Sequence, residues 1–342
     1  MLSLIELSGT PLQIGKALGK FGAQAAHSYL VHSPSWASVT AWRGSTAAQA
    51  MQTQVEQQFP HIHQELQGLA AGLELPFEDV FLWNCRGDVW AMAPDGCTTV
   101  QLPLAAGPRI THNEDGDPGF AGYCGIGQFA PDSGPRFTSF LYPASIPGHT
   151  FAVNEHGLAM TVNNLRSRQV SAGVPRMVLT RALLNQAGLA QAIELLRQSP
   201  RAGGFHLSLA QCGYPDLLSV EFNAMGLSVL DIKVPTLHAN HITHATMQDL
   251  PQVITDSSRH RQERGNALLS AADSPDSIEP LSILVDQADK SFPIYRDAPD
   301  DSDAENTMAT ADIRVGAEQV MWDIYERPGQ SARFKLVNTE LV

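Results

Sequence analysis

The stretch Asp95-Gly96-Cys97-Thr98-Thr99-Val100-Gln101-Leu102-Pro103 turns at Ala106-Gly107-Pro108. It comes back as Thr111-His112-Asn113-Glu114-Asp115. This reads as an apolar hairpin that starts with a thiol and returns with an acid. A thiol at the head of a strand with a carboxylate brought back beside it suits a nucleophile and its orienting partner. Cys97 is the candidate nucleophile and Asp115 the candidate partner. Asn113 and Thr98 are expected to support them through the turn and the strand backbone. Glu114 alternates with Asp115 along the strand, so the two are expected to face opposite sides.

Outward from the hairpin the texture changes. Residues 1–96 read as mainly helical. Thr10-Pro11 can open a helix, with the proline in its first turn. Ala17, Leu18, Phe21, Ala25 and Tyr29 continue an apolar face at helical spacing. A second helix is expected from about Thr46 to Phe59, and a third carries Leu66, Leu69 and Ala70 up to Leu75-Pro76. Beyond Cys97, strand-like runs lie between Gly, Pro and Asn clusters. They are Phe137–Leu141, His149–Val153, Leu158–Val162, Leu217–Phe222 and Leu227–Ile232, with Met308–Ile313 and Gln319–Ile324 as a last pair. Helical patterns fall at Val178–Leu184, Leu189–Arg197 and Ser257–Leu269. Antiparallel runs with helices set apart indicate a layered α+β domain and not a parallel βαβ sheet. The acidic run 297–305 reads as a solvated, mobile loop without the spacing of a calcium loop.

The chain has 342 residues and a formal charge of −13. That size allows ample core. A negative surface argues against nucleic acid and anionic membrane as partners. No run approaches the length of a membrane span, and the N-terminus lacks the basic start of a secretory signal. The four cysteines, Cys85, Cys97, Cys124 and Cys212, form no CxxC pair and no disulfide framework. Reduced thiols and a cytoplasmic setting are the simple expectation. The Gly-rich stretch 122–127 lacks the strand–loop–helix context of a phosphate loop. No cofactor is expected. No metal is expected either, because His238, His241 and His244 at i, i+3, i+6 match no zinc spacing.

The order of motifs resembles the acyl-coenzyme A:6-aminopenicillanate acyltransferase family, cysteine-type N-terminal nucleophile hydrolases. The resemblance runs through Gly9-Thr10-Pro11, Phe59-Pro60, Glu65–Gly72 and Asn84-Cys85-Arg86 to Gly96-Cys97-Thr98-Thr99. It continues through Asn113-Glu114-Asp115, Asn154–Ala159, Asn163-Asn164, His238–His241, and Ser257-Ser258 with Arg261 and Arg264. Members with His-Asn-Glu-Asp, as here at His112–Asp115, resemble the branch that hydrolyses β-alanyl amines. The fungal acyltransferase has an aromatic residue where this chain has Glu114.

The resemblance implies a four-layer αββα fold and self-cleavage between Gly96 and Cys97. The products would be a helical α chain of residues 1–96 and a catalytic β chain of residues 97–342, or 342 − 96 = 246 residues, together forming one domain. The freed α-amine of Cys97 titrates near neutrality and would take the thiol proton. Asn240 would donate its amide to the oxyanion, a neutral donor suited to developing charge. Arg296 matches a late basic residue, which would balance Asp115 or bind substrate.

Each assignment has a plainer alternative: a buried cysteine, a turn Asp, a turn Asn, a surface Arg. Arg261 and Arg264 share a helix face and read as structural ion-pair partners. The expected activity is hydrolysis of a small N-acyl amine or amide through a Cys97 thioester. Acyl transfer to an amine shares its first half, although no basic cluster suits coenzyme A. An unprocessed ligand-binding relative is the alternative outside catalysis. A homo-oligomer is compatible with all three.

Overall fold

A computed structural model describes residues 1–93, 95–168 and 171–342. The first strand is β1 (Ser3–Gly9). Six helices follow: α1 (Pro11–Ser28), α2 (Pro34–Thr40), α3 (Thr46–Gln58), α4 (Pro60–Leu73), α5 (Phe77–Asn84) and α6 (Arg86–Val89). The hairpin is β2 (Asp95–Leu104) and β3 (Gly107–Gly116). Then come β4 (Gly125–Pro131), β5 (Phe137–Leu141), β6 (Phe151–Asn154), β7 (Leu158–Asn164), α7 (Arg176–Leu183) and α8 (Leu189–Gln198). They are followed by β8 (Phe205–Gln211), β9 (Leu217–Phe222), β10 (Leu227–Asp231), β11 (Thr236–His238), α9 (Asp256–Ser270) and α10 (Pro280–Leu284). The chain ends in β12 (Asn306–Val315), β13 (Val320–Tyr325), β14 (Phe334–Val337) and β15 (Glu340–Leu341).

The strands form two sheets, ordered β1-β4-β5-β6-β7-β8-β9-β10 and β11-β2-β3-β12-β13-β14-β15. β2 faces β7 across the interior. Helices α1 and α8 pack against the first sheet, and α9 and α10 against the second. The layers therefore run helix, sheet, sheet, helix, as an α+β sandwich of the αββα kind. Each sheet buries one face on the other and one under helices, so most strands are buried throughout. The space between the sheets is aromatic around Phe140, Phe151 and Trp322. It turns polar toward Cys97, where Thr99, His112, Glu114 and Asn163 are all buried.

Local sequence explains several elements. Thr10 and Gln13 form a capping box at the start of α1, and Ser45 caps α3, each satisfying orphan N–H groups. α1 and α4 approach at glycines: a Cβ on Gly15 would stand 1.9 Å from the Glu65 carbonyl oxygen, so no side chain fits there.

Four expectations need correction. The sheets are not wholly antiparallel, because β1 pairs parallel with β4. The β12–β13 pair is not last, since β14 and β15 extend the sheet edge. The hairpin turn is Ala105-Ala106, and Gly107 already belongs to β3, opposite Leu104. The acidic run is not simply solvated: Asp303 and Glu305 are buried, because buried arginines need counter-charges there. Among the described residues no helix is long and apolar enough to cross a membrane.

Candidate active site around Cys97

The hairpin register decides which groups meet. Cys97 lies opposite Glu114, and Gly96 opposite Asp115. Side chains directly opposite share a face, so the thiol and Glu114 point one way while Asp115 points the other. The thiol's face is turned to the other sheet, where Thr99 Oγ1 donates to Asn163 Oδ1 at 2.7 Å. The Asp115 face is turned to α9, where Arg261 reaches Thr98.

The chain around Cys97 is held at several points. Arg86 grips the Asp95 carboxylate, Nη2 to Oδ1 at 2.8 Å, and Arg176 stands 3.5 Å from Oδ2. The Asp95 carbonyl accepts from Asn164 Nδ2 at 2.8 Å. The Cys97 N–H donates to Asn240 Oδ1 at 3.0 Å. The Cys97 carbonyl accepts from Arg261 Nη1 at 2.6 Å. Arg261 also donates to Thr98 Oγ1 at 2.8 Å and, through Nη2, to Asn240 Oδ1 at 2.7 Å. Arg261 is therefore a buried part of this cluster and not a peripheral ion-pair partner. Arg264, half-exposed, does pair with Asp286 at 2.7 Å.

The remaining sequence candidates fall around this frame. Asn240 reaches Cys97 through its acceptor oxygen, while its Nδ2 donates to the Asn164 carbonyl at 3.2 Å. Asp115 accepts from Thr307 Oγ1 at 2.6 Å and lies beside Gly96, away from the thiol. Burial raises its pKa, opposed by the nearby charges of Arg261 and Arg296. Arg296 is buried, not a surface residue. Its guanidinium hydrogen-bonds Asp301, Nη1 to Oδ2 at 2.8 Å, and Ser257 Oγ at 2.6 Å, and its backbone N–H donates to Thr307 Oγ1, the hydroxyl that donates to Asp115. Asn113 lies opposite Thr98, and its side chain pins α10, donating to the Leu284 carbonyl at 2.8 Å. His238 stacks on His206 with ring centroids 3.5 Å apart and meets Glu221 at 2.8 Å.

Three partners were not legible as site residues. Glu114 Oε2 lies 3.7 Å from Cys97 Sγ and 3.1 Å from His112 Nε2. Donor atoms of Cys97, His112 and Glu114 all lie within 4.8 Å of one another. Correct placement of the turn at Ala105-Ala106 would have paired Cys97 with Glu114 from sequence alone. Glu305 had no such signal. Its Oε1 is held by Arg166 Nη2 at 2.9 Å, and its Oε2 has no hydrogen-bond partner among the described residues. A Cβ added at Gly96 would stand 2.0 Å from that oxygen. Glycine at 96 is what lets the carboxyl lie against this peptide.

Electrostatics follow from burial. Burial, then the charges of Glu114 and Asp115, push the Cys97 thiol well up. Burial, then Asp95 and Asp115, push Glu114 up. Burial pushes His112 down to about 3. Glu305 is raised to about 7 by burial, opposed first by Arg166. A raised carboxyl favours the fold below its unfolded pKa, and that contribution is lost as pH rises through the folded value. Gln cannot ionise, so Glu305→Gln should gain stability relative to wild type as pH rises from about 4 to about 8. Thermal melts of the two proteins across that range measure it. A constant difference would show that Glu305 does not titrate there.

The sequence model of the family described as acyl-coenzyme A:6-aminopenicillanic acid acyl-transferase matches residues 106–328. The chain belongs to this family. The matched region contains Glu114, Asp115, Asn240 and Arg296 and begins just after Cys97. A beta-alanyl-dopamine/carcinine hydrolase of Drosophila melanogaster is 26% identical over 166 residues, 42% of this chain. The chain spans 43% of the length of that relative. Among solved structures, penicillin V acylase from Agrobacterium tumefaciens overlaps 71% of this chain and 86% of its own. The TM-score is 0.44 at 14% identity, a likeness that specifies neither reaction nor substrate.

Proposed function

We propose that this family member is a cysteine amidohydrolase that matures by cutting its own Gly96–Cys97 bond. It then hydrolyses an N-acyl amide through a thioester on Cys97. The observation that carries the reading is the grip on residues 95–97. Asp95 is held on both its side chain and its carbonyl, and Cys97 on both its N–H and its carbonyl. The thiol itself faces the polar layer between the sheets. Holding the reacting groups in register is what turns a slow intramolecular attack into a usable one.

In this reading residues 1–96 become the α chain and 97–342 the β chain of one domain. The new Cys97 amine serves as base for later turnovers. Asn240 supplies the oxyanion donor, which requires its Nδ2 to exchange the Asn164 carbonyl for the developing charge. Asp115 and Arg296 hold the opposite face of the strand. The Drosophila relative's name supplies the substrate class to try first: an amide of a short amino acid with an aryl- or imidazolyl-ethylamine.

The test is release of free amine from β-alanyl-dopamine and carcinine by the cut protein, with and without prior thiol alkylation. Hydrolysis that alkylation abolishes is expected. Cut protein inert toward these and a wider panel of N-acyl amines would leave a ligand-binding protein of the same fold.

A further inference from the structure

In the uncut chain the Cys97 nitrogen is an amide that donates its only hydrogen to Asn240. It has no basic lone pair, so the amine that serves later turnovers is missing for the first cut. Another group must take the thiol proton. Asp115 lies on the opposite face of the strand. Glu114 lies on the thiol's own face, with Oε2 3.7 Å from Sγ.

The hydrogen bonds behind Glu114 fix where protons sit. Asn163 Nδ2 donates to the His238 carbonyl at 3.0 Å, which orients the amide and leaves Oδ1 as an acceptor. Thr99 therefore gives its single hydroxyl hydrogen to Asn163 Oδ1 at 2.7 Å. The Thr99 oxygen is left to accept from His112 Nδ1 at 2.7 Å. A neutral imidazole carries one N–H, so His112 Nε2 presents a bare lone pair. That lone pair faces Glu114 Oε2 at 3.1 Å. Two acceptors do not approach so closely without a proton between them. Glu114 is thus the donor, in keeping with its upward shift by burial. Sγ, Glu114 Oε2 and His112 Nε2 thus stand in a row, with Thr99 and Asn163 fixing the far nitrogen.

We propose that Glu114 and His112 together form the base that activates the Cys97 thiol for the first, self-cleaving step. The inference rests on the cleavage reading above. As Sγ bonds to the Gly96 carbonyl carbon, the thiol proton passes to Glu114 Oε2. The proton already on Oε2 passes to His112 Nε2. The Gly96–Cys97 C–N bond then breaks as Glu114 Oε2 gives its proton to the leaving Cys97 nitrogen and His112 Nε2 returns its proton to Oε2. The result is a thioester and a free amine. Water next adds to the thioester carbonyl, which releases the Gly96 carboxyl group and restores the thiol. No external oxidant or reductant enters.

The test follows the cut in full-length protein made by cell-free translation with a chelator present, reading intact mass against time. Glu114→Gln and His112→Gln should each slow the cut by about a hundredfold, the lower end for loss of a general base. Glu114→Asp keeps the carboxyl and should recover most of the rate. Because the pair acts as a unit, the double variant should be no more than a few-fold slower than either single one. Melting midpoints confirm that each variant is folded. Wild-type rates in Glu114→Gln, or equal slowing in Glu114→Gln and Glu114→Asp, would overturn the relay and leave the cleavage reading standing. A wild-type chain that never cuts would overturn both.

Discussion

Cys97→Ala is expected to leave the chain as a single 37.0 kDa species and to remove amide hydrolysis. One side chain is asked to do two jobs. In the uncut chain its sulfur is the group held on the polar face, opposite Glu114. In the proposed mechanism the amine and sulfur of the cut chain act as base and nucleophile together. Loss of a nucleophile that forms a covalent intermediate lowers turnover by roughly 10⁶-fold in a well-studied hydrolase. The cost to stability should be small. Cys97 is buried, and removing one sulfur atom from a partly polar setting costs on the order of 1 kcal/mol. A folded, uncut and inactive Cys97→Ala protein is therefore the expected outcome, read by intact mass, thermal melting and amine release. An uncut protein that still hydrolyses amides would remove Cys97 from the mechanism. A cut one would place the nucleophile of maturation elsewhere.

Gly96→Ala is expected to be far more damaging than its size suggests. The added methyl would stand 2.0 Å from Glu305 Oε2 and 3.3 Å from Asp115 Cβ. Glu305 cannot swing away freely, because Arg166 holds its other oxygen at 2.9 Å and both side chains are buried. Overpacking of this kind costs about 1–3 kcal/mol. Breaking the buried pair by displacing one partner adds to that, up to about 3–5 kcal/mol. The substitution also moves the Gly96 carbonyl, the target of the thiol in the proposed cleavage. Misplacement by about 1 Å costs on the order of a hundredfold in rate. Reduced melting temperature and a stalled cut are both expected. Gly96→Ala in an Arg166→Met background separates the two effects. If the displaced pair causes the loss of stability, the methyl should cost much less there. A Gly96→Ala protein as stable and as fast as wild type would show that Glu305 does not press on this peptide.

The sequence carried the parts of this site that lie close along the chain. The hairpin bearing Cys97 and Asp115, the capped helices α1 and α3, and the alternation of Glu114 against Asp115 all follow from short-range pattern. What failed was contact across sequence distance. β1 is mostly exposed and pairs in parallel with β4, more than a hundred residues on, so neither alternation nor a turn announces it. Arg261 sits three residues from Arg264 on one helix, yet one is buried against Cys97 and the other meets Asp286 near the surface. Helical spacing says that two side chains are neighbours, not how deep each lies. The acidic run 297–305 resembled solvent-facing charge for the same reason. Its Asp301 and Glu305 answer Arg296 and Arg166, two arginines that the fold buries. The Cys97–Glu114 contact failed on the turn: setting it at 106–108 instead of Ala105-Ala106 shifts the register and hides the pairing.

The most direct measurement is the intact mass of the purified wild-type protein under denaturing conditions. Two species near 10 and 27 kDa, about the shares of 37.0 kDa for 96 and 246 residues, are expected, the larger beginning at Cys97. A single species of 37.0 kDa after prolonged incubation would contradict self-cleavage at this bond.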